Sequence, residues 1–95
     1  MRVEPPALRA ALVIRNRLGL HARAAALLVQ TASRFDAEVT VSKDGQTVNG
    51  RSIMGIMTLA AEQGSVVEVE SRGPDAEPAL AAIRALVDAR FDEPE

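Results

Sequence analysis

The sequence predicts an α+β fold: an open-faced sandwich with a four-stranded, mainly antiparallel sheet and three helices on one face, in the order βαββαβα. Three observations lead there. Segments that alternate apolar and polar residues take turns with segments whose apolar residues recur at spacings of three and four. Asp44-Gly45 separates two alternating runs, which marks a hairpin and therefore an antiparallel pair. The 95 residues are enough for one compact domain and too few for two.

In chain order, residues 1–7, with Pro5-Pro6, read as a loose lead-in. Leu8 to Arg15 reads as a strand with Leu8, Ala10, Leu12 and Ile14 on one face and Arg9 and Arg15 on the other. Asn16 to Leu20 is a loop in which Gly19 is free to take a conformation other residues resist. Ala22 to about Phe35 is the first helix, with Leu27, Leu28, Thr31, Ala32 and Phe35 as its apolar stripe. Glu38 to Lys43 and Gln46 to Asn49 form the hairpin, with Val39 and Val41 inward.

Ser52 to Leu59 is a short helix with Ser52 as its N-cap, ended by Gln63-Gly64. It is apolar nearly all round, so Ile53, Met54 and Met57 should be left partly exposed. Ser65 to Ser71 is the last strand, with Val67 and Val69 inward and Glu68 and Glu70 outward. The last helix runs from near Asp75 to Phe91 along Leu80, Ile83, Val87 and Phe91, with Pro78 tolerated in its first turn. Residues 92–95 are expected to fray. The whole chain, 1–95, is one domain between loose termini.

Composition removes several chemistries. There is no cysteine, so disulfides and thiolate chemistry are excluded. With one histidine, a conventional zinc site is not expected, and neither is a cofactor. No long apolar run suggests membrane insertion or secretion, so the default location is the cytoplasm. Aromatic residues are limited to Phe35 and Phe91, and no Lys/Arg cluster stands out, which argues against nucleic acid as a partner. From Pro5 to Phe35 there is no acidic residue, while Arg9, Arg15, Arg17, Arg23 and Arg34 all fall there. An electropositive face around this stretch suits an anionic substrate or an acidic partner.

The single histidine, His21, follows a glycine-containing loop and precedes an alanine-rich helix, with Arg23 in the first turn. A helix N-terminus offers unpaired amides and partial positive charge, an anion site. An imidazole there can act as a nucleophile, and a guanidinium beside it can hold phosphate oxygens. The reading is a histidine that accepts a phosphoryl group.

Gly19-Leu20-His21-Ala22-Arg23, with Arg51-Ser52-Ile53-Met54-Gly55 downstream, resembles the HPr family, the histidine phosphocarriers of the bacterial phosphoenolpyruvate-dependent phosphotransferase system. The resemblance spans roughly Leu8 to Phe91. Asn16–Gly19, Phe35–Val39 and Phe91–Glu93 are more similar to the nitrogen-regulatory branch, NPr, and the Ser52 segment to HPr proteins under a serine kinase. The output, sugar transport or nitrogen regulation, stays open.

The resemblance implies a carrier rather than a turnover enzyme. His21 would become a phosphohistidine at Nδ1, charged by enzyme I and discharged to an enzyme IIA. Arg23 and the Ala22 amide would stabilise the phosphate. Ser52 would become a phosphoserine made by HPr kinase/phosphorylase. Leu20, Arg23, Ile53, Met54 and Met57 are expected to form the partner-binding patch of a monomer. Ala24 departs from the family, which usually has proline there. The alternative is a non-catalytic HPr-like module that regulates partners through the apolar patch.

Overall fold

The computed structural model describes residues 6–94. Strands β1 (Leu8–Val13), β2 (Glu38–Lys43), β3 (Gln46–Asn49) and β4 (Val66–Arg72) form one sheet in the order β1-β4-β2-β3. All three pairings are antiparallel: Leu8 faces Ser71, Glu38 faces Arg72 and Thr40 faces Asn49. Period-two alternation puts Ala10, Leu12, Val39, Val41, Val67 and Val69 on one face, where all are buried. The opposite face is polar. There Arg9 Nε and Arg72 Nη2 each donate to Glu70, at 2.9 and 2.6 Å, and hydroxyls of Ser42 and Thr47 meet at 2.8 Å.

Helices α1 (Ala22–Ser33), α2 (Ile53–Thr58) and α3 (Ala76–Asp88) cover the apolar face. Alanines carry much of the close packing: Ala24, Ala25 and Ala32 of α1 and Ala79 of α3 are fully buried. Small side chains let the helix backbones approach, and Leu28, Ile56, Ile83 and Val87 fill the space between them. Leu27, Thr31, Phe35 and Leu80, expected in the stripes, are only half-buried.

Several expected boundaries move. β1 stops at Val13 rather than Arg15. Beyond it the Ile14 amide donates to Ser65 O (2.9 Å) and Ile14 O accepts from Gly64 (2.8 Å), outside the ladder. Leu8 is exposed, although it lies on the face of Ala10 and Leu12 and borders a hollow with Leu80, Ala81 and Ala85 of the last helix. α1 ends at Ser33 rather than Phe35. Arg51 Nη2 caps this turn by donating to Phe35 O and Ala37 O at 2.7 and 3.0 Å. β4 runs from Val66 to Arg72, one residue later than expected at each end. α2 ends at Thr58, well short of Gln63-Gly64, because Ala60 turns to φ 51° and the chain leaves the helix there.

The largest departure is at the end of the chain. α3 stops at Asp88, and Arg90, Phe91 and Asp92 form a left-handed turn with φ of 57°, 53° and 58°. Each non-glycine residue in that region costs roughly 1–2 kcal/mol. Phe91, fully buried and the largest such side chain, offsets part of that cost by burial worth about 1.5–3 kcal/mol. The Asp92 and Glu93 amides donate to Ala89 O and Arg90 O at 3.0 and 2.9 Å, which ties the first two residues of the expected loose end to the turn. The expected loose ends at 1–5 and at residue 95 lie outside the described residues.

Candidate functional site

The Asn16–Leu20 loop places the histidine. Gly19 sits at φ +65°, and a Cβ there would stand 2.4 Å from Ala61 O. Both the dihedral and the space require glycine. The Leu20 amide donates to Ala61 O at 2.9 Å and pins the loop to the segment after α2. Leu20 itself is only 5 % exposed and belongs to the core. Its expected place in an exposed partner-binding patch is corrected accordingly: its side chain anchors the loop from below.

His21 is the N-cap of α1, with φ −74° and ψ −179°, and its side chain makes no capping bond. The first helical hydrogen bond runs from the Ala25 amide to His21 O at 2.8 Å. The amides of Ala22, Arg23 and Ala24 precede it and point out of the helix N-terminus. Ala24 supplies a donor that proline would lack.

The ring meets a residue the motif does not contain. His21 Nε2 lies 2.7 Å from Glu93 Oε2. An ionised carboxylate only accepts, so Nε2 carries the hydrogen and Nδ1 of a neutral ring keeps its lone pair. Asn16, fully buried, donates from Nδ2 to Gly19 O at 2.8 Å and to Glu93 Oε1 at 3.2 Å. Arg23 Nη1 donates to Phe91 O at 2.8 Å and lies 3.4 Å from Glu93 Oε2. Loop, helix start and carboxyl-terminal turn thus converge on one carboxylate, whose side chain is 10 % exposed.

Burial pushes the Glu93 carboxyl up. Hydrogen bonds from His21 and Asn16 and the charges of His21 and Arg23 outweigh it and hold the group below its ordinary value. Arg17 lines a hollow of about 300 Å³ on one side of Glu93, together with Leu18 and Pro94; Arg15 and Arg90 line another. Of the arginines expected around His21, Arg15, Arg17 and Arg23 lie near Glu93. Arg9 lies instead on the open sheet face, and Arg34 sits 5.6 Å over the Phe35 ring.

α2 packs against α1. Ser52 caps it, its Oγ accepting from the Gly55 amide at 3.0 Å. Met54 is 72 % exposed, and Ile53, Met57 and the loop residue Leu18 are exposed as well. His21 Nε2 and Arg23 Nη1 both reach Glu93 Oε2, and the Ala22 amide is the first of α1. Asn16, Glu93 and Leu18 were not singled out from the sequence as site residues. Among the described residues, no group of acidic and histidine side chains could hold a metal ion.

Residues 8–89 match the family model for the PTS HPr component phosphorylation site. Over 82 residues, 86 % of this chain and 92 % of the relative, the sequence is 50 % identical to phosphocarrier protein HPr of Xylella fastidiosa strain 9a5c. It is 46 % identical to phosphocarrier protein NPr of Shewanella violacea over 78 residues, 82 % of this chain and 86 % of that one. The structure superposes on the crystal structure of HPr-C-His from Thermoanaerobacter tengcongensis with a TM-score of 0.89 at 45 % identity, covering 93 % of this chain and 99 % of that one. The histidine at the head of α1, the sheet order and these matches agree, and the chain belongs to the HPr family of phosphocarrier proteins of the phosphotransferase system.

Proposed function

We propose that His21 accepts a phosphoryl group on Nδ1 from the phosphohistidine of enzyme I and passes it to a histidine of an enzyme IIA. The observation that carries this is the ring at the N-cap of α1, with Nε2 held at 2.7 Å by Glu93, which leaves Nδ1 as the available nitrogen. Phosphoryl transfer asks the protein for in-line positioning and charge stabilisation more than for covalent chemistry. The Ala22 and Arg23 amides and the Arg23 guanidinium, half-exposed and able to turn, supply that stabilisation. The helix dipole adds about 0.3–1 kcal/mol, small enough for a group that must be given up again.

The partner-docking surface is Ile53, Met54 and Met57 with Arg23, joined by Leu18. The protein acts in the cytoplasm as a monomer that shows this face to successive partners. Ser52 is the regulatory position, phosphorylated by HPr kinase/phosphorylase. A phosphate at a helix N-terminus leaves the fold intact and puts negative charge beside the apolar patch, where it repels an acidic partner.

Intact-mass measurement after incubation with phosphoenolpyruvate and a cognate enzyme I tests the proposal. One acid-labile phosphate, absent from His21→Ala, is expected. Its absence, with enzyme I partners from both branches shown to charge other carriers, would favour the binding-module reading. Transfer should slow several-fold in Met54→Asp and in Ser52→Asp; unchanged rates would remove the docking and regulatory assignments respectively.

A further inference from the structure

A partner that exchanges a phosphoryl group with His21 must bring its own histidine to the ring, so it covers the surface around that ring. α2 offers such a partner apolar contacts. The flank at the carboxyl-terminal turn offers charge. There Arg15, from the segment after β1, and Arg90, from the turn after α3, line a hollow of about 520 Å³ with Asp88, Ala89 and Glu93. Glu93 also lies 2.7 Å from His21 Nε2, so this hollow opens beside the reacting centre. Both arginines are exposed. Neither guanidinium makes an ion pair or hydrogen bond among the described residues, because Glu93 is taken up by His21, Asn16 and Arg23.

Arg90 stands there against the preference of its own backbone. Its φ of 57° is one that glycine takes freely and an L side chain does not. The core draws Phe91 from this turn, and Arg90 adds nothing to it. We propose that Arg15 and Arg90 form a charged rim of the docking surface that receives acidic side chains of the phosphoryl donor, enzyme I, beside its reactive histidine. This rests on the carrier reading and extends its docking surface away from α2. A guanidinium without an internal partner is free to take a carboxylate through two parallel hydrogen bonds. At the edge of an interface such pairs act on the rate and orientation of encounter, while buried apolar contacts supply most of the affinity. The rim also selects: a partner with basic residues at this place is repelled. A small free anion fits the hollow less well, since it would meet Asp88 and Glu93 inside it, whereas carboxylates fixed on a protein surface can meet the two guanidinium groups from above.

The test measures phosphoryl transfer from enzyme I, charged with phosphoenolpyruvate, to wild type, Arg15→Gln, Arg90→Gly, Arg90→Lys and Arg9→Gln. Ionic strength runs from about 0.01 M to about 1 M, over which the Debye length falls from about 30 to about 3 Å. Arg15→Gln and Arg90→Gly should be several-fold slower at low salt, through a raised KM for the carrier at unchanged kcat. Both should show a flatter salt dependence and converge on the wild type at high salt. Arg90→Lys keeps the charge and should keep most of the rate. Arg9→Gln removes the same charge from the open sheet face and should leave the rate unchanged. Arg90→Gly relaxes the turn, so its slower transfer should come without loss of stability. Wild-type rates in both rim variants, losses that persist at high salt, or an equal loss in Arg9→Gln would overturn the inference and leave the carrier reading intact. Arginine side-chain NMR signals of Arg15 and Arg90 should move with enzyme I and stay still with inorganic phosphate; movement with phosphate alone would assign the hollow to a small anion and overturn it too. A wild type that takes no phosphate would overturn both readings.

Discussion

Asn16 joins the histidine loop to the carboxyl-terminal turn with a single amide, donating to Gly19 O and to Glu93 Oε1 from a fully buried position. Asn16→Ala would leave both acceptors without this donor. Its expected cost is about 1–3 kcal/mol, read from denaturant unfolding as a lower midpoint at an unchanged slope. Its Oδ1 has no partner among the described residues, so part of the amide's desolvation is already uncompensated. Glu93 adds a pH dependence whose sign follows from its lowered value. A carboxyl that binds protons less readily when folded contributes stability above its unfolded value and loses it as pH falls through the folded one. Thermal midpoints should therefore fall as pH drops below the ordinary carboxyl value of 4.5, and Glu93→Gln should flatten part of that fall. Glu70, lowered by the Arg72 hydrogen bond and the Arg9 and Arg72 charges against partial burial, should leave a residual slope.

At the scale of elements, the hairpin was legible because Asp44-Gly45 and the Val39/Val41 alternation each announce themselves over a few residues. The head of α1 was legible too, since a lone histidine between a glycine loop and an alanine run leaves few other places for the helix to begin. The end of the chain was not. Left-handed Arg90, Phe91 and Asp92 have no residue-type signature, because that dihedral usually selects glycine. Glu93 stands 72 positions from His21 and reads locally as a tail carboxylate. Leu20 read as exposed because one apolar residue beside a polar site says nothing about depth. The strained turn makes two opposite predictions. Phe91→Ala should cost about 3–5 kcal/mol and release the turn from the core. Arg90→Gly should be neutral or stabilising by up to about 1 kcal/mol, since relief of the left-handed penalty outweighs the added freedom of the unfolded chain. Calorimetry of both variants checks the pair.

For the whole molecule, the sheet order sets the pattern of dependence. β1 pairs with β4, and β4 also pairs with β2, so the first strand closes only against one that comes last. One cooperative unfolding transition is expected, with far-ultraviolet circular dichroism and the His21 ring signal lost at the same denaturant concentration. Separate midpoints would show the site melting on its own. The bond from Asn16 to Glu93 spans 77 positions of sequence. On a ribosome, His21 emerges 72 residues ahead of Glu93. A half-made chain therefore exposes an imidazole without its carboxylate. The contact forms only once β4 and α3 are in place, so the state of the ring reports on the fold as a whole.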